Sequence, residues 1–214
     1  MKIRAGRFVA TVLCAASLGS VLSACAPIVL GGAAMGALVA TDRRTSGSQL
    51  EDEGIQLRAN GRIRESLGDR VHVNVTSYNR QVLLTGEVPN QQDKQLVEQI
   101  VSRVDNVRAI VNELGVMGNS TLTQRSSDSL TTGKVKAAMV DAKDIFANSF
   151  KVVTERGTTY LMGRVTQREA ARATEITRGI SGVQKVIRVL EIISEEELQR
   201  TLPQEPAKAP APKT

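Results

Sequence analysis

The chain of 214 residues is poor in the residue types on which most catalytic and metal sites depend. It contains one histidine, two cysteines and no tryptophan, and aromatic residues make up 2% of it. The histidine, His72, lies between Val71 and Val73, without the spaced His, Cys or Asp residues of a metal site. No phosphate-binding glycine loop, dinucleotide-binding fingerprint or G-x-S-x-G motif is present. We therefore expect no enzyme and no bound cofactor or metal.

The scarcity of aromatic side chains also argues against nucleic-acid binding, because single strands are usually held by stacking on aromatic rings. The formal net charge of +6 is a weak argument for such a partner, since three positive charges lie within the first seven residues. Without residues 1–24 the net charge falls to +3, a mild excess. We expect no nucleic-acid partner.

Residues 1–24 have the three parts of a secretory signal peptide. A positively charged start is followed by an apolar stretch from Phe8 to Leu22 and by small residues before Cys25. The apolar stretch is too short to span a bilayer. An ordinary signal peptide with a chance cysteine is the alternative, and the charged start, the apolar run and the spacing together disfavour it.

The stretch Leu22-Ser23-Ala24-Cys25 resembles a bacterial lipobox. The resemblance implies that diacylglycerol is attached to the Cys25 thiol, that the signal is cut before it, and that the new amino terminus is acylated. Each buried acyl CH₂ contributes roughly 0.8 kcal/mol, so a cysteine with two or three chains anchors durably. Ala26 follows, rather than the Asp that retains lipoproteins at the inner membrane of enteric bacteria, which resembles an outer-membrane address. Since Cys14 leaves with the signal, the mature chain would have no free thiol.

Two stretches of the chain repeat one pattern at an offset of about 77 residues. VNVTSYNRQVLLTGEV (73–88) and FKVVTERGTTYLMGRV (150–165) each contain an apolar strand, a polar turn, a second strand and Gly-x-Val. The predicted turns are Asn79-Arg80 and Arg156-Gly157. A helix-favouring stretch follows each copy, and then comes a segment of alternating Val, Ile and Leu that we expect to be a strand.

A helical pattern also precedes the first strand of each copy, so that each copy is predicted to be αββαβ. The residues that carry this pattern are Ile55, Ala59, Ile63 and Leu67 in the first copy and Val135, Ala138, Met139 and Ala142 in the second. We expect an α+β fold of two tandem domains, each with a small three-stranded mixed sheet packed against two helices. Gly86 and Gly163 are predicted to be structural, at positions where a side chain would obstruct the following turn or helix.

These duplicated units, with LLTGEV and LMGRV before a polar helix and a V-x-x-V strand, resemble BON domains. The order of lipobox, short tether and two such domains resembles the dual BON-domain outer-membrane lipoproteins associated with envelope stress and division-site localisation. The resemblance covers residues 25 to about 194, and TTYLMGRVTQREA (158–170) is its most specific stretch. It implies an outer-membrane protein that faces the periplasm and supports membrane integrity. It also implies that the second domain binds anionic phospholipid, chiefly phosphatidylglycerol, through its first helix, and that no catalytic activity is present.

The charge distribution independently favours the second copy as the lipid-binding one. Residues 49–118 contain 8 Lys and Arg against 10 Asp and Glu, a net −2, whereas residues 128–194 contain 11 against 7, a net +4. A basic domain is attracted to anionic headgroups within a Debye length, and an acidic one is not.

The first helix of the second copy carries the predicted phospholipid-binding residues. A stripe comprising Thr131, Val135, Ala138, Met139, Ala142 and Phe146 is expected to face the sheet. Leu130 and Val140 fall outside this stripe, among Lys134, Lys136 and Ala137, an arrangement expected where a helix enters headgroups. The alternative is that Leu130 staples a helix start near Ser127 or Asp128 and that the lysines form a solvated face.

The predicted organisation has six parts: a signal peptide (1–24), the lipidated cysteine and tether (25–48), a first domain (49–118), a linker (119–127), a second domain (128–194) and a Pro/Ala-rich disordered tail (195–214). A protein-interaction adaptor for envelope assembly or protease machinery, without specific lipid binding, is the alternative function. Lipid binding should weaken with salt and with Leu130→Asp, whereas protein docking should survive both changes.

Overall fold

The computed structural model describes residues 42–201, which contain the two predicted domains. The predicted signal peptide, Cys25, the tether as far as residue 41 and the tail from residue 202 lie outside the described residues. In the first domain the elements are α1 (Ser46–Leu67), β1 (His72–Tyr78), β2 (Gln81–Val88), α2 (Gln91–Ser102), β3 (Ala109–Asn112) and β4 (Gly115–Val116). In the second they are α3 (Leu122–Asp141), β5 (Phe150–Glu155), β6 (Thr158–Thr166), α4 (Gln167–Arg178) and β7 (Lys185–Ile193), followed by α5 (Glu195–Thr201).

Each domain has the predicted hairpin and parallel third strand. The pairs β1–β2 and β5–β6 are antiparallel, and their two-residue turns are Asn79-Arg80 and Arg156-Gly157. All four turn residues have positive φ, as a type I′ turn requires. Strand β7 pairs in parallel with β6, and β3 and β4 both pair in parallel with β2, so the third strand of the first domain is interrupted at Glu113 and Leu114.

Each sheet packs one face against the two helices of its own domain. The buried residues of the first core are Ile55, Ala59, Ile63, Leu67, Val75, Val82, Leu84, Val88, Val97, Val101, Val104 and Leu114. Those of the second are Val135, Met139, Ile145, Phe150, Val152, Leu161, Val165, Ala170 and Ala173. The predicted α+β architecture of two small mixed sheets covered by helices is therefore confirmed.

The other faces of the two sheets pack against each other. Tyr78 and Leu83 of the first domain form one buried cluster with Tyr160, Met162 and Val189 of the second. The two domains therefore share a third apolar core, and they are packed against each other rather than joined only by a linker.

Polar contacts between the domains surround this shared core. The Nε of Arg156 donates to Oε1 of Glu87 at 2.6 Å, and Asn79 donates to Glu191 at 2.7 Å. Lys151 donates to the side chain of Gln56 at 3.1 Å. These contacts satisfy groups that the sheet-to-sheet packing brings close to apolar surface.

Two arginines before α1 bind different domains. Arg43 pairs with the buried carboxylate of Glu169 through both terminal nitrogens, at 2.6 and 2.7 Å. Arg44 pairs with the buried Asp52 at 2.8 Å, and its guanidinium lies 4.3 Å from the centre of the Tyr78 ring. The part of the predicted tether that reaches the described residues is therefore bound to both domains.

Gly86 and Gly163 are constrained by the neighbouring strand, not by the following turn or helix. A Cβ at Gly86 would meet the carbonyl oxygen of His72, and one at Gly163 would meet that of Ser149. Gly86 also has a φ of 108°, a region that side chains rarely adopt. The physical reason for glycine is thus the close approach of the chain at the start of the first strand of each hairpin, at His72 in β1 and at Ser149 directly before β5.

Three predicted boundaries differ from the structure. Helix α1 begins at Ser46, inside the predicted tether, and α3 begins at Leu122, inside the predicted linker. The chain is also helical in α5, where the disordered tail was expected to begin, because Leu198 is buried there.

Candidate functional site

Helix α3 is fixed by its inward side and by its N-cap. The hydroxyl of Thr121 accepts a hydrogen bond from the N–H of Gln124 at 3.2 Å. The buried residues of the helix are Asp128, Thr131, Val135 and Met139. Because they recur at intervals of three and four, the opposite side of this 20-residue helix faces away from the domain.

The buried carboxylate of Asp128 joins α3 to the hairpin of its own sheet. It accepts hydrogen bonds from the backbone N–H groups of Arg156 at 2.8 Å and Gly157 at 3.0 Å, the two turn residues. The same contact exists in the first domain, where Asp52 accepts from the N–H groups of Asn79 and Arg80, both at 2.8 Å. This anchor fixes which side of α3 is turned outward.

The pKa of Asp52 shows how strongly its charged form is held. Burial alone would raise this pKa, but hydrogen bonds from the backbone of Arg80, from the Ser77 hydroxyl and from Arg44 lower it below its ordinary value. The anchoring carboxylate of the first domain is therefore ionised at neutral pH.

The outward side of α3 is an open apolar surface. Leu122 and Leu130 are 79% and 69% exposed. Between and beside them the side chains are small, and a Cβ at Gly133 would meet nothing within 4 Å. The result is a shallow depression, which we call the α3 groove; its lining residues are Leu122, Arg125, Ser126, Ser129, Leu130, Gly133, Lys134 and Ala137.

Cations border the α3 groove, and exposed carboxylates are absent from its part of the helix. Arg125 and Lys134 contribute to the lining. From Leu122 to Val140 the one acidic residue is Asp128, which is buried and turned toward the hairpin. The exposed Asp141 follows at the carboxyl end of α3. The groove therefore favours an anionic or amphipathic ligand, most strongly toward its amino-terminal and central turns.

The structure brings together three of the five residues that sequence reasoning assigned to phospholipid binding. Leu130, Lys134 and Ala137 line the α3 groove. Val140 is 69% exposed and lies one turn beyond Ala137, outside the lining. Lys136 is exposed but is not among the residues that line the groove.

The amino-terminal part of the α3 groove was missed because residues 119–127 were assigned to a linker. Leu122, Arg125 and Ser126 belong to the first turns of α3. The signal that could have found this start is Thr121, a good N-cap residue three positions before Gln124. Since Leu130 lies in the middle of α3, it does not staple the helix start.

Phe146 was predicted to face the sheet, but α3 ends at Asp141 and Phe146 lies beyond it. Its side chain is 45% exposed, and the guanidinium of Arg43 lies 5.8 Å from the ring centre. The helical spacing that placed Phe146 on the inward stripe does not extend past the end of the helix.

His72 belongs to a cluster that its sequence neighbours do not reveal. Potential ligand atoms of His72, Glu87 and Glu155 lie within 4.8 Å of one another. Glu87 is already bonded by Nδ1 of His72 at 2.8 Å, by Arg156 and by the N–H and hydroxyl of Ser120. Although burial alone would raise the pKa of Glu87, these partners lower it. The cluster is therefore an ion-pair network of the domain interface, with its carboxylate oxygens in use.

Within residues 42–201, no helix combines the length and the apolar character needed to cross a membrane.

Comparison with protein families identifies both halves of the described region. The BON domain model matches residues 52–118 and 127–194. The chain is 37% identical over 174 residues to the outer membrane lipoprotein DolP of Haemophilus influenzae, covering 80% of this chain and 90% of that protein. It is 29% identical over 154 residues to a 21 kDa hemolysin of Actinobacillus pleuropneumoniae, covering 71% of this chain and 79% of the hemolysin. None of these matches is to a catalytic family.

Among solved structures, the protein CdsD of the type III secretion system of Chlamydia trachomatis is similar at 14% identity. The alignment covers 69% of this chain and 98% of that one with a TM-score of 0.29, too low to support a common arrangement. The family match and the identity to DolP are the findings that establish the family of this chain. The chain belongs to the BON-domain family, within which it is a DolP-like outer membrane lipoprotein.

Proposed function

We propose that this lipoprotein is anchored through acylated Cys25, that its second BON domain binds anionic phospholipid such as phosphatidylglycerol through the α3 groove, and that this second contact supports outer-membrane integrity. The observation that carries the proposal is the combination of Leu122 and Leu130, 79% and 69% exposed, with Lys134 and Arg125 on one outward helix side.

The apolar part of the proposal rests on exposure that serves no packing within residues 42–201. A helix whose outward side carries leucines beside cations is suited to the boundary between headgroups and acyl chains. Burial of a leucine side chain contributes roughly 2 kcal/mol, so two leucines supply a weak but useful affinity. The small residues one and two turns beyond Leu130, Gly133 and Ala137, allow an acyl chain or a headgroup to approach the helix backbone closely.

The electrostatic part rests on cations that are not committed to internal ion pairs. Within the described residues, Lys134 and Lys136 form no ion pair. Each Lys or Arg near an anionic bilayer contributes about 1 kcal/mol, and this contribution falls as salt shortens the Debye length. Lys136, on the flank of α3, contributes to the field without lining the groove.

The lipid anchor makes a weak second site sufficient. Once Cys25 holds the chain at a membrane, binding of the second domain to the same surface becomes intramolecular, at an effective concentration in the millimolar range. A groove with millimolar intrinsic affinity would then be occupied for a large fraction of the time. The second domain would detect the local density of anionic lipid while the anchor supplies the attachment.

Vesicle sedimentation of the mature chain (residues 25–214) with Cys25→Ser tests the groove without the anchor. The protein is mixed with vesicles that contain phosphatidylglycerol or only zwitterionic lipid, at low and at moderate salt. Leu130→Asp is compared with Ile192→Asp, a matched control that adds the same charge to the same domain at a residue that is 50% exposed in β7.

We expect binding that requires phosphatidylglycerol, weakens with salt, falls at least tenfold in Leu130→Asp and persists in Ile192→Asp. Equal binding to both vesicle types, or equal loss in both variants, would refute the groove as an anionic-lipid site. The adaptor for envelope assembly or protease machinery would then be the better account, with Cys25 as the membrane contact.

A further inference from the structure

The outward side of α1, in the first domain, carries an apolar pattern of its own that nothing in residues 42–201 covers. Leu50 and Leu57 are 76% and 73% exposed. Gly54 and Gly61 alternate with them, and at about 100° per residue all four fall within a stripe opposite the buried Ile55 and Ala59. We call these four residues the α1 stripe.

The two glycines of the α1 stripe lower the stability of the helix, a cost that close packing of another element on them would offset. Glycine in a helix interior costs about 1 kcal/mol relative to alanine. Neither is required by the fold, because a Cβ at Gly61 would meet nothing within 4 Å and one at Gly54 would meet the flexible end of Arg58. Helices carry small residues on an outward side where another helix approaches closely.

The spacing of the α1 stripe is self-complementary in an antiparallel pair. If two copies cross with the twofold axis between residues 55 and 56, position 50 of one lies opposite position 61 of the other, and position 54 opposite position 57. Each leucine then lies over a glycine of the second copy, twice for each helix. A parallel pair would instead place leucine against leucine and glycine against glycine.

The charges beside the α1 stripe favour the same arrangement. Glu51 and Glu53 lie in the amino-terminal half of α1, whereas the carboxyl-terminal half contains Arg58, Arg62 and Arg64 against one acid, Glu65, and is therefore net basic. Antiparallel helices place the acidic half of each copy against the basic half of the other, whereas parallel helices place like charges together.

From these observations we propose that the α1 stripe is a self-association surface, and that its occupant is α1 of a second copy in antiparallel orientation. This inference goes beyond the lipid contact of the second domain and does not depend on it. Four outward helical positions bury much less than the roughly 800 Å² per partner of a stable interface, so the pair is weak in solution. Confinement of a lipoprotein to one membrane raises its effective concentration and favours the pair there.

A residue swap tests the pairing. In the mature chain with Cys25→Ser, self-association is measured by sedimentation equilibrium from 10 µM to 1 mM, roughly the range of a weak interface. We expect Leu50→Gly alone and Gly61→Leu alone to weaken association at least tenfold, because each leaves a gap or a clash. The double variant Leu50→Gly/Gly61→Leu should restore it, because leucine again faces glycine. Gly61→Leu improves helix propensity, so a loss of association in it does not reflect unfolding.

Cross-linking tests the orientation on a membrane. The mature chain has no other thiol when Cys25 is acylated, so Gly47→Cys and Glu65→Cys introduce single reactive sites. On zwitterionic vesicles, a short bismaleimide should join Gly47→Cys to Glu65→Cys in a mixture and should not join Gly47→Cys to itself, since those positions lie about 25 Å apart in the antiparallel pair.

Two results would overturn the proposal. One is a chain that stays monomeric throughout the concentration range and is not cross-linked on vesicles, which would leave the stripe to another occupant, such as a different protein. The other is cross-linking of Gly47→Cys to itself, which indicates a parallel pair. The absence of anionic lipid keeps both readouts independent of the α3 groove.

Discussion

Helices α1 and α3 are the same element of a duplicated domain, and they differ almost entirely on the side that faces away from the sheet. On the inward side the pairs Asp52 and Asp128, and Ala59 and Val135, occupy equivalent buried places at an offset of 76 residues. On the outward side both helices carry cations, but α1 also has Glu51 and Glu53 beside its leucines, whereas α3 has no exposed acid before Asp141.

This difference shows which positions the fold constrains. The inward side must fill a core and hold a hairpin turn, so the two copies keep apolar residues and an acid there. The outward side is free of both demands and can acquire a surface chemistry of its own. A domain with net charge −2 and one with net charge +4 can therefore share a backbone while their surfaces suit different binding partners.

The largest effect in this comparison is expected from the two buried hairpin anchors. Asp52 holds the N–H groups of Asn79 and Arg80, the hydroxyl of Ser77 and Arg44, whereas Asp128 holds two N–H groups. Because a buried donor left without a partner costs about 1–3 kcal/mol, we expect Asp52→Ala to lower the free energy of unfolding by about 4 kcal/mol and Asp128→Ala by about 2 kcal/mol.

Urea unfolding followed by circular dichroism measures both losses. Equal losses in the two variants would show that the additional partners of Asp52 do not stabilise the first domain.

Acidification is the next test, because it acts on Asp52 of the first domain, Glu169 of the second and Glu87 between them. For each, burial alone would raise the pKa, but hydrogen bonds and ion pairs lower it below the value in the unfolded chain. The unfolded chain therefore takes up protons first as the pH falls. Stability should be fully present above about pH 4.5 and should fall below it, by about 1–3 kcal/mol at pH 3.

Urea unfolding between pH 7 and pH 3 provides the measurement. A chain carrying Asp52→Asn should lose less stability over this range than the unsubstituted chain, since one of the three carboxylates is gone. If the free energy of unfolding of this variant fell with pH as steeply as that of the unsubstituted chain, the role given to Asp52 would be contradicted.

The charge of Glu155 is expected to have a smaller effect on stability, and in the opposite direction to that of the three carboxylates above. It occupies the place in the second hairpin that Tyr78 occupies in the first, and it accepts a hydrogen bond from Asn74 of the other domain. Burial raises the pKa of Glu155, so its charge destabilises the folded chain as the pH rises above the unfolded value near 4.5. Glu155→Gln keeps the acceptor and removes the charge, and should stabilise the chain at pH 7 by up to about 1 kcal/mol.

The gain from Glu155→Gln should disappear near pH 4, where the glutamate itself becomes protonated. Thermal unfolding at the two pH values distinguishes this from a simple packing effect, which would persist at both.

Most of the fold was predictable from local patterns. The turns at Asn79-Arg80 and Arg156-Gly157 follow from polar pairs between apolar runs, and the repeat fixes the order of elements. The sheet-to-sheet packing was not predicted, although consecutive apolar residues such as Leu83 and Leu84 indicate a strand buried on both faces. The arginine pair before α1 had no sequence signal, because its partners are far away in the chain.

The candidate site was predictable in its centre and not at its ends. Leu130 and Lys134 fall outside the inward stripe by helical spacing alone. Leu122 and Arg125 were missed because the first turn of α3 has no buried residue to reveal a helical period. Lys136 was included because helical spacing shows that it is outside the inward stripe but does not show which outward residues border a depression.

The most direct test of the divergence between α1 and α3 uses the absence of tryptophan from the chain. A single tryptophan is introduced as Leu130→Trp or as Leu57→Trp in the mature chain with Cys25→Ser, and its fluorescence is recorded with dilute protein and excess vesicles. We predict that the emission of Leu130→Trp shifts to shorter wavelength and is quenched by brominated lipid with phosphatidylglycerol vesicles alone, while that of Leu57→Trp stays unchanged. Equal shifts in both variants, or a shift in Leu57→Trp alone, would contradict the assignment of lipid contact to the second domain.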